Sequence, residues 1–98
     1  MKAVKSLDEI NADVYLLDFY ADWCMPCKML SPILEQVEAE VKIPIYKVNV
    51  DESRELAEVF GVMGIPTLVL MRGKNEVARH VGFANKEFLV GWIKKNLD

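Results

Sequence analysis

Cysteine and histidine are scarce in these 98 residues: two of the first and one of the second. A secreted scaffold held by disulfides needs more cysteines, spread to close longer loops. A structural zinc site usually takes four Cys or His ligands. Cys24, Cys27 and the distant His80 fall short of that without a half-site from a second chain, so no metal is expected. A basic block is missing too: 12 Lys and Arg stand against 15 Asp and Glu, for a net charge of −3. That balance gives no electrostatic footprint for nucleic acid or an anionic membrane, and neither is expected as a partner. The longest uncharged run, Val59 to Met71, is too short to span a bilayer and is broken by Gly61, Gly64 and Pro66. Asp8, Glu9 and Asp13 fall where a secretory leader would need its apolar centre, so the expected location is the cytoplasm. No Gly-x-Gly-x-x-Gly follows a strand, which argues against a nicotinamide site. No repeat, low-complexity tract or linker appears. With 52% hydrophobic and 28% charged residues, the expectation is one folded domain over residues 1–98.

What is present is a dithiol. Cys24 and Cys27 stand two residues apart, and with metal and scaffold roles set aside they read as a redox pair that closes on itself.

The punctuation around the pair is local. Ser6 with Glu9 three residues on forms a capping-box pattern over one or two helical turns. Val14 to Tyr20 is a nearly continuous apolar, aromatic and β-branched run, as in a central strand covered on both faces, and only Asp18 interrupts it. From Cys24 the residues Leu30, Ile33, Leu34, Val37 and Val41 recur at helical spacing. Pro26 suits the first turn, and Pro32 should kink the helix. A strand over Ile45 to Val50 follows Pro44, then a short helix that Ser53 can cap and Gly61 ends. Thr67 to Met71 and Glu76 to Val81 form a hairpin about Arg72-Gly73-Lys74-Asn75. Asn85 caps a last helix with Phe88, Leu89, Trp92, Ile93 and Leu97 on its core face. The class is α/β in the order β-α-β-α-β-α-β-β-α: a mixed central sheet flanked by helices on both faces.

The run Asp18-Phe19-Tyr20-Ala21-Asp22-Trp23-Cys24 leads into Met25-Pro26-Cys27-Lys28. With Lys47-x-Asn49-x-Asp51, Gly64-Ile65-Pro66-Thr67 and Val81-Gly82, it resembles the thioredoxin family over nearly the whole chain. Two positions depart from the family pattern. Met25 replaces the usual glycine between the cysteines, which bears on redox potential and client range. Tyr20 stands where many members carry a second tryptophan, which bears on packing and optical readout.

The resemblance implies a thioredoxin fold and a protein-disulfide reductase with no bound cofactor beyond the Cys24–Cys27 disulfide. Its partners would be disulfide-containing client proteins and a separate reductase of the thioredoxin-reductase type, and a monomer suits the size. Residues three apart on a first helical turn lie roughly 5–6 Å apart at Cβ, so modest adjustment closes a disulfide. Unpaired backbone N–H groups at a helix start favour thiolate over thiol at Cys24. Cys24 then attacks a client disulfide, and Cys27, one turn further in and expected to be less exposed, resolves the mixed disulfide.

Asp18, in an apolar strand, would be costly as an unpaired anion; burial raises its proton affinity unless it is a strand-edge residue reaching solvent. By resemblance it is the buried acid serving Cys27 through a water. Lys47 matches the family's lysine near that acid, against the plainer reading of a snorkelling side chain. Pro66 matches the family's cis proline. Trp23, Met25, Pro26, Gly64, Ile65, Val81 and Gly82 would form the client rim, with Met25 adding a flexible contact. His80 reads as a solvated surface residue. Two rivals remain: an oxidant or isomerase with a destabilised disulfide, and a partner-binding module whose thiols are incidental. A glutaredoxin-like use of glutathione fits the residues around Pro26 less well.

Overall fold

The computed structural model describes all of residues 1–98. Its sheet comprises β1 (Lys2–Ala3), β2 (Val14–Tyr20), β3 (Ile45–Asn49), β4 (Thr67–Arg72) and β5 (Asn75–Val81). The helices are α1 (Met25–Val41), α2 (Arg54–Val59) and α3 (Lys86–Leu97), and a 3-10 turn spans Leu7–Glu9. Spatial order is β1-β3-β2-β4-β5. β3 pairs in parallel with both β1 and β2, while β4 runs antiparallel to β2 and β5. The expected element order and mixed sheet are therefore those observed.

Side chains alternate across a strand, and β2 uses both faces. Leu16 points into a layer built with Leu30, Leu34 and Val37 of α1, Leu68 and Leu70 of β4, and Leu89, Val90 and Ile93 of α3. Tyr15, Leu17 and Phe19 point the other way, onto Val48, Val69, Met71, Ala57 of α2 and the amino-terminal Val4. The parity that sends Leu16 towards α1 and α3 also sends Asp18 there. A charged residue is thus fixed under the start of α1 by strand geometry alone.

Local signals mostly hold. Ser6 and Glu9 close the capping box, with the Glu9 carboxylate accepting from the Ser6 N–H at 3.0 Å. Asn85 Oδ1 accepts from Phe88 N at 2.8 Å. Gly73, at φ 62°, makes the hairpin turn, and its carbonyl accepts from the Tyr15 hydroxyl at 2.6 Å. Pro32 sits inside α1, which continues unbroken to Val41.

Two expectations need correcting. Ser53 occupies the N-cap of α2, but its hydroxyl is buried and caps nothing. The turn leading into α2 is closed instead by Asn49, whose Oδ1 accepts from Asp51 N at 2.9 Å and Glu52 N at 3.2 Å. On α3 the core face is Leu89, Val90 and Ile93; Phe88 is exposed and Trp92 only half-buried. The axis of α3 turns Val90 rather than Phe88 towards the sheet.

Leu34 is fully buried in the α1 layer. Truncating it leaves a cavity among side chains that relax only partly. Leu34→Ala is expected to lower stability by about 2–5 kcal/mol, read as a drop in urea midpoint at unchanged slope.

Candidate active site

The site lies where β2 and β3 end and α1 begins. Ligand sites in open α/β sheets form outside the carboxyl ends of strands, where the chain departs to opposite sides. Here β2 is that strand, with β3 on one side and β4 on the other. A short turn carries the chain from Tyr20 to Cys24, which is the N-cap of α1. Cys24 N–H donates to Ala21 O at 3.2 Å, and Lys28 N–H donates to Cys24 O at 3.1 Å, so the cap is held from both sides.

Cys24 and Cys27 form a disulfide with Cα atoms 5.3 Å apart. Cys24 Sγ also accepts from Cys27 N–H at 3.3 Å. This is the position where an anionic sulfur gains from unpaired helix N–H groups. The expectation that Cys27 is the less exposed of the two is not met: Cys24 is 4% and Cys27 5% exposed. In the disulfide both sulfurs are held against Ala21, Tyr20, Val50 and Ile65, which evens out their shielding.

Asp18 is 2% exposed, and its Oδ1 has no hydrogen-bond partner. It is not a strand-edge residue reaching solvent. Burial pushes its carboxyl up to about 7 against the opposing pull of Lys47, its register neighbour on β3. Asp18, Lys47 and Cys27 line one cavity of about 400 Å3 with Tyr20, Ala21, Asp22, Lys28 and Ser31. Lys47 does not snorkel freely, because its ammonium lies 4.3 Å from the centre of the Tyr20 ring.

The opposite side of the disulfide is apolar. Ile65 O lies 3.9 Å from Cys24 Sγ, and the Ile65–Pro66 peptide bond is cis. Gly82 N–H donates to Pro66 O at 2.8 Å, and Val81 pairs in register with Thr67, which brings Val81 and Gly82 beside the Pro66–Thr67 backbone. Gly82 has φ 102°, a conformation open to glycine and strained for other residues. Gly64 is exposed next to Val81, whose Cγ1 is 3.5 Å from where a Cβ on Gly64 would stand. Trp23 is 70% and Met25 63% exposed, and Pro26 is exposed beside them. Asp18 and Lys47 thus share a cavity with Cys27, Ile65 lies against Cys24, and Gly82 is tied to Pro66.

Some features were not read from the sequence. Trp23 is oriented by Asp51, whose Oδ2 accepts from the indole N–H at 2.9 Å; Asp51 was visible only as part of a motif. Met63 is almost fully exposed, in an apolar hollow with Trp23, Val50, Val62 and Ile65. Phe83 is exposed one residue beyond Gly82. An apolar residue flanked by rim positions was the available signal for both. His80 is not solvated as expected: its Nε2 is buried without a partner, and its ring packs 5.1 Å from Phe88 and 6.1 Å from Trp92. The half-buried Trp92 and its neighbour Phe88 cover it. No group of His, Cys, Asp and Glu is arranged to hold a metal, and no helix is long and apolar enough to cross a membrane.

The Thioredoxin family model matches residues 3–95. A thioredoxin of Chlamydia pneumoniae is 49% identical over 89% of this chain and 86% of its own length. That of Bacillus subtilis (strain 168) is 42% identical over 99% of this chain and 100% of its own. Among solved structures, a single-substitution mutant of the thioredoxin from Halobacterium salinarum NRC-1 superposes with a TM-score of 0.90 at 38% identity, covering 98% of this chain and 89% of that one. The chain belongs to the thioredoxin family. It is a thiol–disulfide oxidoreductase with the thioredoxin fold, and its redox group is part of the protein, as thioredoxins need no cofactor.

The raised Asp18 carboxyl links stability to pH. The folded chain holds this proton up to about pH 7, whereas the ordinary value is 3.8. Between those limits the folded state binds more protons than the unfolded state, so stability falls as pH rises through that window. The contribution is fully present below pH 3.8 and gone above the folded midpoint. Asp18→Asn is expected to remove this slope and to exceed the parent in stability at pH 8, by at most about 4 kcal/mol. Urea titrations at pH 5 and pH 8 check it; equal slopes in the two proteins would contradict a buried, protonated Asp18.

Proposed function

We propose that the chain reduces disulfides of client proteins, with Cys24 as the attacking thiolate and Cys27 as the resolving thiol. The observation that carries this assignment is the position of Cys24 at the N-cap of α1, with Cys27 opening onto the Asp18 cavity. Cys24 thiolate attacks one sulfur of the client disulfide; a new S–S bond forms, the client bond breaks, and the departing client thiolate takes up a proton. Asp18 accepts the proton of Cys27, through water in a cavity roomy enough to hold several. Cys27 then attacks Cys24, the mixed disulfide breaks, and the second client thiol leaves reduced. Two electrons have passed from the dithiol to the client, and a reductase partner restores the dithiol.

Because the Asp18 carboxyl sits at about 7, it is matched to exchange protons near neutral pH. Lys47 acts beside it by charge. The rim that receives clients is formed by Trp23, Met25, Pro26, Gly64, Ile65, Pro66, Val81 and Gly82. An extended client segment would lie along the Ile65–Pro66 and Val81–Gly82 backbone in the manner of strand addition. Met25 puts a flexible, polarizable side chain where the family usually has none, which widens the contact. We assign the protein to the cytoplasm as a monomer, with residues 1–98 acting as a single domain. Its net charge of −3 suits neither nucleic acid nor an anionic membrane.

Cys24→Ser is expected to abolish reduction of an insulin-type disulfide substrate. Cys27→Ser should instead accumulate a mixed disulfide through Cys24, visible as a mass addition removed by dithiothreitol. Adduct formation through Cys27 in the Cys24→Ser protein would reverse the two roles. A titration of the Cys24–Cys27 pair in thiol–disulfide buffers, read by alkylation mass shift, separates reductase from oxidant. A potential well below the glutathione range is expected; one at or above it would make the protein an oxidant or isomerase. In that case Met25→Gly is the first reversion to make.

A further inference from the structure

Tyr20 replaces the tryptophan common at its position in the family, and the structure gives it a partner that the sequence did not suggest. The Lys47 ammonium is 4.3 Å from its ring centre. Lys47 pairs in register with Asp18 across β2 and β3, and it shares the cavity with Asp18 and Cys27. Such a lysine has an obvious alternative partner in the Asp18 carboxylate, yet it makes no ion pair. The ion pairs of the chain are Met1 with Glu38, Arg79 with Glu76, and Lys86 with Glu40. Asp18 Oδ1 meanwhile has no hydrogen-bond partner at all.

We propose that Tyr20 is a positioning residue that holds the Lys47 ammonium on its ring face and off the Asp18 carboxylate, so that the acid stays free to trade protons with Cys27. The inference rests on the reading of Asp18 as the acid that serves Cys27. Its physical basis is a competition. A cation on an aromatic face is held by the ring's quadrupole, most strongly where water is excluded. A close ion pair would gain more by Coulomb attraction, but it has to desolvate both charges, and an ion-paired Asp18 would be a weak base. Tyr20 is half-buried at the end of β2, placed to shift that balance. Burial remains the larger influence on Asp18, and Lys47 opposes it only from a distance.

The other groups that face Asp18 do not take this role. Lys28 on α1 and Asp22 after β2 line the same cavity but are exposed. Cys27 is the proton partner itself, Ser31 carries no charge, and β4 offers Leu68 as the register neighbour.

The test is the titration of Asp18 in the reduced full-length protein, followed by carboxyl-carbon NMR in the parent and its variants. In Tyr20→Leu the ammonium is released towards the carboxylate, and the Asp18 midpoint is expected to fall by about half to one pH unit, a roughly 3- to 10-fold loss of proton affinity. Tyr20→Phe keeps a ring face and should keep the parent midpoint. Lys47→Met removes the cation, and adding Tyr20→Leu to it should change the midpoint no further. A fall of equal size in the Lys47→Met background would mean that Tyr20 only excludes water, and would overturn the proposal. So would an unchanged or raised midpoint in Tyr20→Leu.

Should Tyr20→Leu fail to fold, the parent and Tyr20→Phe decide the matter alone. The Lys47 ε-methylene protons should be shifted upfield by the ring in both, and ordinary shifts there would refute the contact. The pH profile of the resolving step in Asp18→Asn tests the underlying reading separately. An unchanged profile would remove Asp18 from the proton path while leaving the NMR midpoints to judge the placement of Lys47.

Discussion

Both faces of β2 are buried, and the chemistry of the protein depends on that constraint. Leu16 on one face, and Leu17 and Phe19 on the other, are fully buried in two separate apolar layers. A strand enclosed in this way cannot twist a side chain out to water, so Asp18 stays where parity puts it, beneath the first turn of α1. The same enclosure fixes the direction in which β2 ends, and so the place where Cys24 caps the helix. One buried strand therefore positions the acid and the dithiol together, with Cys27 and Asp18 on the walls of a common cavity. The cost is a carboxyl whose ionisation opposes folding.

The two sides of the disulfide are built on different principles. Towards β3 the surroundings are polar and titratable: Asp18, Lys47 and Tyr20. Towards β4 and β5 they are apolar backbone and side chains, with Ile65, Pro66, Val81 and Gly82 gathered by the hydrogen bond from Gly82 to Pro66. In the proposed mechanism, proton handling and client contact are thus kept on opposite sides of one sulfur pair. The division follows from topology, since β3 and β4 flank β2 and each brings its own loop to the site.

The fold was legible in the sequence because its local signals agree. The enclosed strand, the capping box at Ser6 and Glu9, the Gly73 hairpin and the Asn85 cap each use short-range patterns that the structure realises. Legibility failed where a residue's fate is set by what lies across space. Ser53 looks like a cap, but Asn49 reaches the turn before α2 first. Phe88 fits a helical stripe that a small rotation of α3 turns outward, and His80 is covered by the aromatics so displaced. The site was legible as a set of residues, through both the spacing of the cysteines and the family resemblance. The contacts between those residues were not: nothing in the order of the chain places Lys47 on Tyr20 or Trp23 on Asp51.

The edges of the sheet bear on how such a molecule survives at high concentration. β1 is only two residues long and covers β3 at Tyr46 and Lys47, while β5 carries Glu76 and Arg79 and opposes a register shift at Leu70 and Met71. Short, charged and irregular edges make poor templates for another chain. Backbone that invites strand pairing is thereby withheld along the flanks and left available at the rim of the disulfide. A surface carrying Trp23, Met25 and Met63 in the open would otherwise be an aggregation hazard. With the flanks made unfavourable for pairing, contacts between two copies at that apolar surface have no long, flat edge to extend along.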